Sequence, residues 1–159
     1  MNDESLERRS DEEGAMLSTH LRAIDVALGE GDVRGALRAW NAAYGLALGS
    51  RRWETFAEAG DAYLRITRAS GSPAGGISRA RDLYLSALFR ASGAGSLDGV
   101  LRIAAAFTEL GDDEVVAHSL RIARRLAGAS AQPELRERLS DLESRTQPGG
   151  GRQAAQRPM

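Results

Sequence analysis

No stretch of this chain alternates apolar and polar residues with period two over the length of a strand. Apolar residues recur instead at every third or fourth position, in seven separate runs. That spacing is helical, so each run predicts an amphipathic α-helix and the whole predicts an all-α fold. The breaks between runs are short, so neighbouring helices fold back on one another as antiparallel pairs. Alanine supplies much of the apolar content and aromatic residues only 5%, a composition for close helix-on-helix packing.

Residues 1–15 are polar and mostly acidic and read as a flexible arm. The first helix is expected from about Met16 to Gly29, with Leu17, Leu21, Ile24 and Leu28 on one stripe. Gly29-Glu30-Gly31-Asp32 stops it, and Asp32 is placed to cap the second helix, which carries Val33, Leu37, Trp40, Tyr44 and Leu48. The third shows Trp53, Phe56, Gly60, Tyr63 and Thr67. Ser70 to Gly76 has the composition of a loop, which puts the start of the fourth helix near Ile77, ahead of Ala80, Tyr84, Ala87, Leu88 and Ala91.

Ser96 is a plausible N-cap for the fifth helix, with Leu97, Val100, Leu101, Ala104 and Phe107. The sixth follows Gly111-Asp112 with Val116, Leu120, Ala123 and Leu126. A seventh opens at Pro133, a good first-turn residue, and places Leu135, Leu139 and Leu142 on an otherwise charged cylinder. The pairs are expected at about 17–50, 53–92 and 97–130 within a domain of 16–145. A capping helix follows at 133–145, then a disordered Gly/Pro/Arg tail at 146–159.

The residue inventory removes most catalytic chemistry. All 21 basic residues are arginine, so Schiff bases and the P-loop lysine are excluded. Without cysteine there is no disulfide, thiol nucleophile or thiolate metal site. His20 and His118 stand in no metal-binding spacing, and no serine sits in a nucleophile elbow. No catalytic residue, metal ligand or cofactor is expected. The acidic run Asp112-Asp113-Glu114 lies where carboxylates favour a helix N-terminus. The N-terminal residues lack the apolar run of a signal peptide, and no run approaches a membrane span. The expected compartment is the cytoplasm.

Gly31-Asp32 and Gly111-Asp112 look alike, each between two closely spaced helices. Around the second stand Ile103-Ala104 and Phe107, then Val116, Leu120 and Ala123. Around the first stand Ala23-Ile24 and Ala27, then Ala36, Trp40 and Ala43. The middle pair keeps Phe56, Ala59-Gly60 and Tyr63, then Ala80, Tyr84 and Ala87, with the longer Gly/Ser loop inserted. From about Leu17 to Ser130 this pattern resembles the tetratricopeptide repeat, whose period is roughly 34 residues. The resemblance departs from the family in lacking an intact Leu-Gly and the proline that closes each repeat. It implies helix pairs stacked as a short right-handed solenoid.

The resemblance also implies a non-catalytic interaction module. In such arrays the first helix of each pair lines the concave face. That points to Leu21, Arg22, Asp25 and Leu28, then Ala57, Glu58, Asp61 and Leu64, then Leu101, Arg102, Ala105 and Glu109. The family's basic clamp for a terminal carboxylate is missing. An apolar floor with Asp25, Glu58 and Asp61 suits an amphipathic peptide or partner subunit with a few basic residues. That this face is merely solvated, or buried in a homo-oligomer, is the plainer alternative. A second candidate surface is the helix face of Arg121, Arg124 and Arg125, which suits an anion, an acidic partner or a regulatory nucleic-acid contact. The formal net charge of -1 and the sparse tail arginines argue against nucleic acid, and no membrane partner is expected.

Overall fold

The computed structural model describes residues 3–129 and 132–146. These form α1 (Asp3–Gly29), α2 (Val33–Gly49), α3 (Trp53–Ala69), α4 (Pro73–Gly93), α5 (Leu97–Leu110), α6 (Asp113–Ala129) and α7 (Pro133–Thr146). No strand occurs among the described residues. The helices pair as α1–α2, α3–α4 and α5–α6, and successive pairs pack on one another as a short solenoid closed by α7. Successive odd-numbered helices pack directly together, whereas the even-numbered ones stand further apart. The array therefore bends with its odd helices on the inner side.

Two boundaries differ from the sequence reading. α1 begins at Asp3 rather than near Met16. Glu4, Arg8 and Glu12 stand four apart, as do Arg9 and Glu13, and such pairs support a helix. The Arg52 guanidinium also donates to the Ser10 hydroxyl across 3.4 Å, tying this stretch to the segment between α2 and α3. α4 begins at Pro73, one turn before Ile77. Proline takes the first helical position, where its missing N–H is no loss. Gly76 packs where a Cβ would collide with the Thr67 side chain, so the glycine is there for close approach.

All three hairpin turns are consequently alike. Gly31, Gly71 and Gly111 adopt φ of 75°, 71° and 73°, a left-handed conformation that glycine enters without a Cβ clash. Asp32, Ser72 and Asp112 follow them; Asp32 accepts from the Gly35 N–H at 2.8 Å and Asp112 from the Val115 N–H at 3.3 Å. The three glycines are spaced 40 residues apart. No longer loop is inserted in the middle pair, and the period exceeds the roughly 34 residues of the tetratricopeptide family.

The core follows the sequence stripes. Trp40 is 2% exposed, donates its indole N–H to the Ala59 carbonyl at 2.8 Å, and stacks on Tyr44 while touching Tyr63. Tyr84 meets Phe107 edge-on in the next pair. Gly60 makes room for the Tyr84 ring, and Gly99 for Trp53. On α7, Leu139 and Leu142 are buried while Glu134, Glu137, Ser140 and Asp141 stay exposed, as the end of a stacked array requires.

Ion pairs link each odd helix to the next. Asp25 on α1 meets Arg65 on α3 at 3.2 Å, and Asp61 on α3 meets Arg102 on α5 at 3.1 Å. Asp98 on α5 bonds Arg138 on α7. The partners are 40 or 41 residues apart, and on α3 and α5 the acid precedes the arginine by four, so each link steps back one helical turn. All are partly exposed, and pairs of that kind contribute roughly 0–1 kcal/mol each. Asp98→Asn is accordingly expected to lower stability by less than about 1 kcal/mol in urea denaturation. A loss well above that would mean the links act as a cooperative network.

Candidate interaction surfaces

The odd-helix face is the surface to which the repeat pattern points. Ala57 is 1% exposed and Leu101 is fully buried, so neither belongs to an outward floor. α3 and α5 are each packed by helices on several sides, and these two positions turn inward. Leu21, Leu28 and Leu64 are half-buried against the core. Arg22 is exposed on α1, and Asp25 is occupied by Arg65.

Between α3 and α5 the remaining residues do converge. A cleft of about 230 Å³ is lined by Asp61, Tyr84, Arg102, Ala105, Ala106 and Glu109, among others. Asp61 is fully engaged: one carboxylate oxygen accepts from the Tyr84 hydroxyl at 2.5 Å, the other from the Arg102 guanidinium at 3.1 Å. Arg102 also lies over the Trp53 ring. Burial, then the bond to Asp61, pushes the Tyr84 hydroxyl far above the usual phenol range. Asp61 is thus a structural anchor rather than a vacant acceptor, which the sequence could not reveal because its partners lie 23 and 41 residues away.

Glu58 differs. It is half-buried on α3 within range of Arg102, Asp61, Arg52 and Glu54, and it forms no ion pair among the described residues. Burial pushes its carboxyl up, with Arg102 pulling the other way. Glu58 lies next to Ala57, which lines the α3–α5 cleft, and Glu109, exposed on α5, rims that cleft.

Arg121, Arg124 and Arg125 are all exposed on α6. Arg124 bonds Glu143 of α7, and Arg121 lies 3.3 Å from His118 Nδ1. With Val116, Ala117, Leu120 and Thr146, Arg121 and Arg124 line a cleft of about 500 Å³. His20 and His118 sit on α1 and α6, which do not pack together. No helix among the described residues is long and apolar enough to cross a membrane.

Charge is divided between the layers. The odd helices hold sixteen acidic residues against nine arginines, and the even helices hold eight arginines against Asp82, Asp113 and Glu114. Phe89 on α4, absent from the sequence stripes, is 81% exposed, and Leu48, counted on the apolar stripe of α2, is 57% exposed. Phe89 falls off the α4 stripe, and that offset was its only signal. No protein-family model matches the chain, and no curated protein matches it.

Proposed function

We propose that this chain is a non-catalytic protein–protein interaction module or scaffold. It is a tetratricopeptide-like hairpin array of longer period that takes a peptide segment or partner subunit on its odd-helix face. The observation that carries the reading is Glu58, a half-buried carboxylate without an ion-pair partner among the described residues, beside a cleft rimmed by Glu109. Partial burial disfavours its charged form, and a basic side chain from outside would relieve that. The acidic surplus of the odd layer favours the same partner, an amphipathic segment carrying a few basic residues.

Asp61 is unsuitable for the test, because its loss would undo the Tyr84 and Arg102 bonds. Glu58→Gln combined with Glu109→Gln leaves those bonds in place. Against a labelled amphipathic peptide bearing lysines, this variant is expected to bind about tenfold more weakly, a change of about 1.4 kcal/mol. Stability should move the other way. The stability Glu58 contributes is complete below the ordinary carboxylate pKa and lost as pH rises through its raised folded value. The neutral amide should therefore hold or raise the melting midpoint at pH 7. Unchanged peptide affinity in a folded variant would remove the cleft from the proposal.

A further inference from the structure

The outer surface between α2 and α4 carries charge of the opposite sign. α2 has no acidic residue, and α4 has only Asp82 against Arg79, Arg81 and Arg90. Arg81 is taken by Asp112 at 2.7 Å. Arg79 is exposed and lies over the Trp40 and Tyr44 rings.

Two clefts, of about 410 and 460 Å³, lie end to end between these helices. The first has Asn41, Ser78 and Arg79 around Trp40 and Tyr63; the second has Leu48, Leu85 and Phe89 above Phe56. Their α4 walls form one continuous stripe from Gly75 through Asp82 to Arg90. At 1.5 Å per residue that stripe is about 22 Å long, room for four turns of an incoming helix.

The second cleft is the apolar one, lined by Leu48, Phe56, Leu85 and Phe89. A single exposed apolar side chain is ordinary, but Leu48 and Phe89 line one cleft together and are both more than half exposed. Gly45 stands on the α2 stripe between Asn41 and Leu48, and a Cβ there would meet nothing within 4 Å. Packing inside the chain does not call for glycine at this position, and glycine is a poor helix former. It leaves the turn of α2 between Asn41 of one cleft and Leu48 of the other without a side chain.

We infer that the α2–α4 groove docks an amphipathic helix from a partner protein. The helix covers Leu48 and Phe89 with apolar side chains and presents acidic residues on its flanks. Charge complementarity sets the sign: the groove walls carry Arg79 and Arg90 against a single carboxylate, Asp82. Arg90 donates to the Ser50 carbonyl, and Arg79 is in no ion pair among the described residues. Nucleic acid answers the charge but gives Leu48 and Phe89 nothing to bury against. This surface is separate from the α3–α5 cleft and takes a partner of opposite charge.

The test titrates the full chain with a fluorescent peptide of about sixteen residues, the length of the groove. The peptide has leucine and phenylalanine at helical spacing and glutamate elsewhere, and is read by anisotropy. Phe89→Asp is expected to weaken binding at least tenfold. Gly45→Arg should do the same although it adds positive charge and helix propensity, because it fills the groove. Both residues are exposed, so melting midpoints should not fall. Glutamines at Glu58 and Glu109 should leave this affinity unchanged, and replacing the peptide's glutamates with lysines should abolish it. Equal affinity in wild type and Phe89→Asp overturns the inference. So does tighter binding of duplex DNA than of the peptide. Self-association that Phe89→Asp removes would assign the groove to a second copy and overturn it as well.

Discussion

Replacing Trp40 with alanine is expected to destabilise the protein by roughly 3–5 kcal/mol, the range for deleting a large buried aromatic side chain. The indole is 2% exposed and joins the first two pairs: it stacks on Tyr44 of its own helix, touches Tyr63 of α3 and donates to the Ala59 carbonyl. Chemical denaturation measures the loss. Trp40→Phe keeps a ring in place and gives up the N–H, so it should cost less than alanine. A loss below about 1 kcal/mol for alanine, the scale of a surface change, would contradict the placement of α2 against α3.

The second large effect is at Gly99. A methyl group there would stand 2.7 Å from Cε2 of Trp53 and 2.8 Å from Cβ of Ala91, closer than carbon atoms pack. Trp53 and Ala91 are both buried, so there is little room to yield. Gly99→Ala is expected to cost about 1–3 kcal/mol through overpacking, despite alanine's better helix propensity. Gly45→Ala supplies the contrast. With nothing near its Cβ, it should raise stability by about 0.5–1 kcal/mol. If both substitutions stabilised, α5 would not approach Trp53 as described.

The helices were legible wherever an apolar stripe met ordinary turn chemistry. Asp32 and Ser96 cap α2 and α5 as their positions suggest, accepting from Gly35 and Gly99. Reading failed where one residue type serves two purposes. Pro73-Ala74-Gly75-Gly76 has loop composition, yet it forms a helix start that lies tight against Thr67. That misreading hid Gly71-Ser72 as the middle turn and obscured the period of 40. The outward stripe of the odd helices was only partly legible. Ala57 and Leu101 sit on helices covered from more than one side, so helical spacing cannot single out one exposed face. Asp25 and Asp61 read as free acids because their arginines lie about one repeat away in sequence. What survives of the predicted inner face is Ala105 and Glu109, with the buried Ala57, on a cleft braced by Asp61 and Arg102, and Glu58 on the same helix next to Ala57.

The division of charge between odd and even helices gives the molecule a transverse electric dipole that its formal net charge of -1 conceals. A helix with its side chains is about 10–12 Å across, and the Debye length in physiological salt is about 8 Å. An approaching surface therefore feels the layer it meets and little of the one behind. Near neutral pH such a protein should adhere weakly to both cation and anion exchangers, turning a different side to each. A basic or an acidic surface approaching the molecule would be turned toward opposite sides of it before any side chain touches.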